Sequence, residues 1–237
     1  MIRSGLDRGA AVLSEGAGAR SAKASILARM PPSGLPGLRL FLAGFILLTG
    51  CAASTAYAPL TPDQRVAAAG AQRLADRIAE IYQVSAVNVL VGRLAPGQGA
   101  LIHGNGVISL PQESLDLPEM IRDAYLAHEM AHWILGHVAS PPVTVTEQEQ
   151  QQREIDADIK AVEILMRSRS LSQTRAFAAV YAQMMASKQT LDEGKAVPLA
   201  SHPDPCRKMS ALLAAYPAEQ AFVDRLKQNP KAWVCRP

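Results

Sequence analysis

The stretch HEMAHWILGH, His128 to His137, decides how this chain is read. His128, Glu129 and His132 make an HExxH string. On a helix, residues four apart lie slightly more than one turn on, so the two histidines share a face. Imidazoles so placed can meet one zinc ion at about 2.0–2.1 Å, with Glu129 beside it as a general base. Three of the chain's five histidines fall in these ten residues. The flanks predict a helix: in PEMIRDAYLAHEMAHWIL, the residues Ile121, Tyr125, Leu126, Trp133 and Leu135 recur at spacings that make an apolar face. Gly136 then offers a stop. HExxH strings also occur by chance on surface helices, so the rest of the chain must decide.

The chain has 237 residues, about half of them hydrophobic, enough for a buried core. Its net charge of +3 belongs to the first 50 residues, which hold six Lys/Arg and two acids. Removing these from totals of 24 and 21 leaves 18 basic residues against 19 acidic ones. A near-neutral remainder offers no basic patch to suggest nucleic acid, and no nucleic-acid partner is expected. The leader itself predicts export. Arg39 precedes LFLAGFILLTG, an apolar run short for a membrane span but right for a signal-peptide core. It ends in Leu48-Thr49-Gly50-Cys51, which resembles the bacterial lipobox. Cys51 is then the lipidated N-terminus, anchored by its acyl chains; the alternative is an ordinary signal peptide with an incidental cysteine. Ala52 after the cysteine implies the outer membrane, facing the periplasm. Met30 stands directly before a signal peptide of ordinary length and is a candidate start. The expected organisation is therefore a leader over 1–50, a tether over 51–60 and one domain over 61–237. The two remaining cysteines, Cys206 and Cys235, read as a disulfide in an oxidising compartment.

Along that domain, Thr61-Pro62-Asp63-Gln64 predicts a capped helix to about Tyr82, with Val66, Leu74, Ile78 and Ile81 on its buried side. VNVLVGRL (Val87–Leu94), then ALIHG, then Gly106–Leu110 read as strands of a small antiparallel sheet. Thr146-Glu147-Gln148-Glu149 opens a long helix to about Arg169. Further helices are expected near 172–188, 207–216 and 218–228. The fold class is α+β: a mostly helical, zincin-like domain with the small sheet ahead of the HExxH helix.

Two histidines need a third protein ligand to hold catalytic zinc with one position open. Glu154 lies 22 residues beyond His132, on the next helix, and is placed for that part. Asp158, one turn on, can accept a hydrogen bond from a ligand imidazole. HExxH, then Glu-x-x-Ala-Asp, then Ser-His-Pro resembles, in order, the HtpX and CAAX-endopeptidase type of gluzincin metallopeptidase, in particular its BepA-like periplasmic lipoproteins. The resemblance covers about Val87 to Met209. It implies zinc on His128, His132 and Glu154, with Glu129 as the base and Asp158 supporting a ligand. It also implies that His202 stands near the substrate carbonyl. The family's arginine six positions after that histidine is here Lys208, with Arg207 just before it; either could reach the site. His137 lies five residues after His132, about 140° round a regular helix. It could approach the zinc if the helix breaks at Gly136, or act as a cationic cap of the helix end.

The expected activity is zinc-dependent endopeptidase cleavage of unfolded or misassembled envelope proteins, recognised as an added strand at an edge near Gly106–Leu110. The alternative is a lipoprotein chaperone or assembly factor that keeps the fold and cleaves little.

Overall fold

The computed structural model describes residues 59–92, 94, 99–138, 144–192, 202–229, 233 and 235. The leader, its Cys51 and most of the tether lie outside these residues.

Helix α1, Pro62–Tyr82, starts where Thr61 and Gln64 cap each other. The Gln64 amide donates to Thr61 Oγ1 at 3.2 Å, and the Thr61 amide to Gln64 Oε1 at 3.1 Å. The Gln64 side chain also turns inward and donates to Asp116 at 3.1 Å. That choice of inner face overturns one expectation. Val66 sits about 200° round from Gln64, and it is 68% exposed. Leu74 and Ile78 are buried as expected, in a stripe with Ala71, Ala75 and Ala79.

Strands β1 (Asn88–Gly92), β2 (Leu101–His103) and β3 (Val107–Pro111) make a sheet of order β1-β3-β2. It is mixed, not antiparallel: β3 runs parallel to β1 and antiparallel to β2. The tight turn is Gly-Asn-Gly at 104–106, closed by the Gly106 amide donating to His103 O at 3.0 Å. This pairs β2 with β3 and leaves β1 to join β3 from the other side. Gly106 takes φ +75°, and a Cβ there would lie 3.7 Å from the Trp133 ring. A side chain would thus meet both backbone strain and the ring. β3 is the central strand, so the edge expected at Gly106–Leu110 does not exist; the outer strands are β1 and β2. On β1 the Gln72 carboxamide acts like a further strand, accepting from the Val89 amide at 2.7 Å and donating to Val87 O at 2.9 Å.

Helix α2, Glu119–Ile134, carries the HExxH string, and α3, Glu147–Ser168, packs most extensively against it. The alanines at 124, 127 and 131 in α2, and at 157 and 161 in α3, have no exposure. Such small side chains allow the two axes to come close. Leu135, expected on the apolar face, is 40% exposed, because the helix ends at Ile134 and the chain turns away. Thr146 and Glu149 form the expected capping box at the start of α3. Helix α4 spans Gln173–Asp192 and buries Phe177, Val180, Tyr181 and Met184. Helix α5, Pro205–Ala215, is capped by Asp204, which accepts from the Cys206 amide at 2.7 Å. A 3-10 turn leads into α6, Gln220–Lys227. Phe177 meets Tyr216 and Phe222 edge to face, which joins α4 to the C-terminal helices. Among the described residues, no helix is long and apolar enough to cross a membrane.

Candidate metal centre

Three helices bring the polar residues together. α2 presents His128 and His132 on its inner face, α3 presents Glu154 and Asp158 one turn apart, and α5 delivers Lys208. All five are buried. In an alanine-rich core such groups are tolerable only if they satisfy one another, and here most of them do. His128 Nε2 and His132 Nε2 stand 3.2 Å apart, and each faces an oxygen of Glu154 at 3.4 Å. Behind the rings, His128 Nδ1 meets Asp158 Oδ1 at 2.8 Å and His132 Nδ1 meets His137 Nδ1 at 3.1 Å. Lys208 Nζ lies 2.9 Å from Asp158 Oδ2 and 3.8 Å from Glu154 Oε2.

The triangle of His128, His132 and Glu154 suits a metal ion. Ligands about 2.0–2.1 Å from a tetrahedral ion stand about 3.3 Å from one another, close to the separations above. Glu154 Oε2 is buried without a hydrogen-bond partner, an orphan that a cation would satisfy. Two imidazoles and a carboxylate are a donor set that zinc accepts. Among the described residues this is the one group of three such side chains that could hold an ion.

Charge in the metal-free site is divided unevenly. Burial opposes a charge on His128, but Asp158 and Glu154 outweigh it and push its pKa up to about 10. Burial also works against ionised Glu154 and Asp158. Both are nonetheless held below the carboxylate range, Glu154 by its bonds to His128 and His132, Asp158 by Lys208 and His128. Burial lowers His132 below the ordinary imidazole value despite Glu154. His137 falls to about 4 through burial and the charges of His132 and Arg153. Lys208 stays charged against its burial, because Asp158 and Glu154 face it. Protonated His128 therefore supplies positive charge where an ion would otherwise do so.

Glu129 points to the sheet side. Its Oε2 accepts the Ile102 amide of β2 at 2.9 Å, and burial raises its pKa to about 7. His202 reaches the same centre from the segment before α5, with Nε2 3.5 Å from Glu154 Oε2 and its side chain half exposed. Residues 125–223 match the family model described as Peptidase U49. That match supports a peptide hydrolase, and it spans the helices carrying every residue of this site except the β2 strand. No curated protein and no solved structure matches the chain.

The choice left open between Arg207 and Lys208 now has an answer. Arg207 points outward and donates to Gln151 Oε1 at 2.6 Å, and Lys208 occupies the interior. His137 is no cap by charge, since the backbone closes the helix end itself. Cys206 and Cys235 are neighbours, as expected, but they are two thiols joined by a hydrogen bond and not by a covalent one; the bond would require oxidation of the pair. The Ile102 amide was invisible in the sequence, because a backbone group carries no residue-type signature.

Proposed function

We propose that the chain is a zinc-dependent endopeptidase of the gluzincin kind, resembling the HtpX and CAAX-endopeptidase type. The observation that supports this best is the 3.2, 3.4 and 3.4 Å triangle of His128, His132 and Glu154 directly beside Glu129. Zinc held there supplies Lewis-acid chemistry, polarising a carbonyl and making water acidic near neutrality. Glu129 takes the proton of the attacking water and passes it to the leaving nitrogen. In the metal-free site burial raises its pKa, which favours taking up that proton. Its bond to Ile102 fixes the carboxylate between β2 and the ligand triangle. His202, at the mouth, is placed to donate to the carbonyl oxygen as charge develops there. Lys208 and Asp158 touch no substrate; they hold His128 and Glu154 in place.

β2 is the outer strand beside the site, so an extended peptide added along it would bring its backbone to Glu129. Recognition through backbone favours unfolded chains over particular side chains. Together with a lipid anchor at Cys51, this makes misfolded envelope proteins at the periplasmic face of the outer membrane the proposed substrates.

Glu129→Gln tests the reading. It keeps the shape and removes the base, so the variant should bind about one zinc per chain and lose hydrolysis of unfolded casein by several orders of magnitude, roughly as single catalytic groups do elsewhere. Glu154→Gln should lose zinc as well as rate. Cleavage by Glu129→Gln at the parent's speed would overturn the mechanism. Binding of unfolded chains by parent and variant alike, with cleavage by neither, would favour the chaperone.

A further inference from the structure

A histidine that offers its Nε2 lone pair must carry its proton on Nδ1, and a neighbour must accept that proton to keep it there. His128 has such a neighbour in Asp158. Among the described residues His132 has no carboxylate behind it; its Nδ1 faces His137 Nδ1 at 3.1 Å, with the two rings 64° apart. Two ring nitrogens at that distance share one proton, so one donates and the other presents a lone pair.

The backbone is built to bring them together. On an unbroken helix His137 would lie about 140° away from His132. Instead Gly136 takes φ +69°, its amide donates to Trp133 O at 3.2 Å, and the His137 amide donates to His132 O at 2.9 Å. This pair of bonds is the glycine-terminated helix end known as the Schellman motif. It satisfies the last carbonyls without any side chain, so the His137 ring is not needed as a cap. The same reversal folds the ring back over His132. Arg153 of α3 pins the turn by donating to His137 O at 3.0 Å. His137 cannot be a fourth ligand from here, because it touches the nitrogen of His132 that faces away from Glu154.

We propose that His137 is a positioning residue for His132: its Nδ1 accepts the Nδ1 proton and so keeps Nε2 free to face Glu154. The proposal rests on the reading of His128, His132 and Glu154 as metal ligands. Asparagine can replace the acceptor, since its Oδ1 falls near the place of the histidine Nδ1.

The test compares the full chain with His137→Ala and His137→Asn. Three quantities are read: zinc affinity by competition with a chelating dye, thermal unfolding of the metal-free protein, and the His132 tautomer by ¹⁵N NMR. His137→Ala should weaken zinc roughly 10–100-fold, the usual effect of losing a partner behind a ligand. It should also lose the pure Nδ1–H form of His132 while unfolding at close to the parent's temperature. His137→Asn should recover most of both. Unchanged affinity and tautomer in the alanine variant would overturn the proposal, as would equal loss in both variants. If the parent takes up no zinc, the metal reading fails separately. The tautomer then decides alone: Nδ1–H in the parent and its loss in His137→Ala uphold the role, and any other result overturns it.

Discussion

His128 and His132 sit one turn apart, face the same carboxylate and are held from behind in opposite ways. Behind His128 stands an ionised chain, Asp158 and then Lys208, drawn from α3 and α5 and almost wholly buried. Behind His132 stands another imidazole, supplied by the loop that ends the same helix. The carboxylate makes His128 basic enough to stay protonated, whereas burial lowers His132, which has only an imidazole behind it. One proposed ligand must therefore give up a proton to bind a cation and the other is ready. The difference teaches that the His128 side belongs to the core and the His132 side to the site. Buried charges that lose a partner cost the fold dearly, but a neutral hydrogen bond at a helix end costs it little.

The largest effect should follow from breaking the charged side. Asp158→Ala leaves Lys208 buried without its nearest counter-charge, and should cost about 3–5 kcal/mol of folding stability by denaturant titration. Zinc affinity should fall with it, about 10–100-fold. If Asp158→Ala proved as harmless to the metal-free fold as His137→Ala, the contrast between the two sides would collapse.

A smaller effect sharpens the contrast through protons. At pH 8, His128 with its pKa near 10 is protonated and His132 is not. Zinc needs both rings neutral, so its uptake should release about one proton per chain. Affinity should accordingly rise with pH to about 10 and level off above it, as His128 becomes neutral. Titration calorimetry in buffers of different ionisation enthalpy measures the number, and release near zero would show His128 to be uncharged. In Asp158→Ala the released proton should largely vanish.

The smallest effect concerns Arg207. Its partner is surface Gln151, so Arg207→Ala should stay within about 0.5 kcal/mol of the parent and bind zinc equally well. Weakened zinc binding in that variant would mean that the guanidinium, and not Lys208, serves the charged side.

Much of this arrangement was legible in the sequence because it depends on residues close together along one helix or on caps. The Thr61 and Thr146 caps, the pairing of His128 with His132, and the one-turn spacing of Glu154 and Asp158 are local, and helical geometry alone relates them. What failed depended on tertiary partners. Nothing local says that Gln64 will turn inward to Asp116 and send Val66 outward. Three short strands carry no record of their order, so an antiparallel sheet was expected where β3 instead lies between a parallel and an antiparallel neighbour. Arg207 and Lys208 differ by 100° on α5, and only the docking of that helix decides which one turns in. His137 stayed open because the sequence marks Gly136 as a stop without saying where the chain turns after it, which its positive φ decides.

The bond from Ile102 to Glu129 has a consequence for solubility. A sheet edge with free amides and carbonyls is a template on which other copies can stack. Gln72 seals one edge of this sheet at β1, and at the other edge, β2, Glu129 takes up the single amide of Ile102. The residue proposed as the base therefore also keeps that amide satisfied. Removing it with alanine would expose the Ile102 amide and yield a protein that is both inert and prone to clump, whereas glutamine still offers that amide an oxygen. Loss of cleavage in an alanine variant would then mix two causes, the missing base and the opened edge.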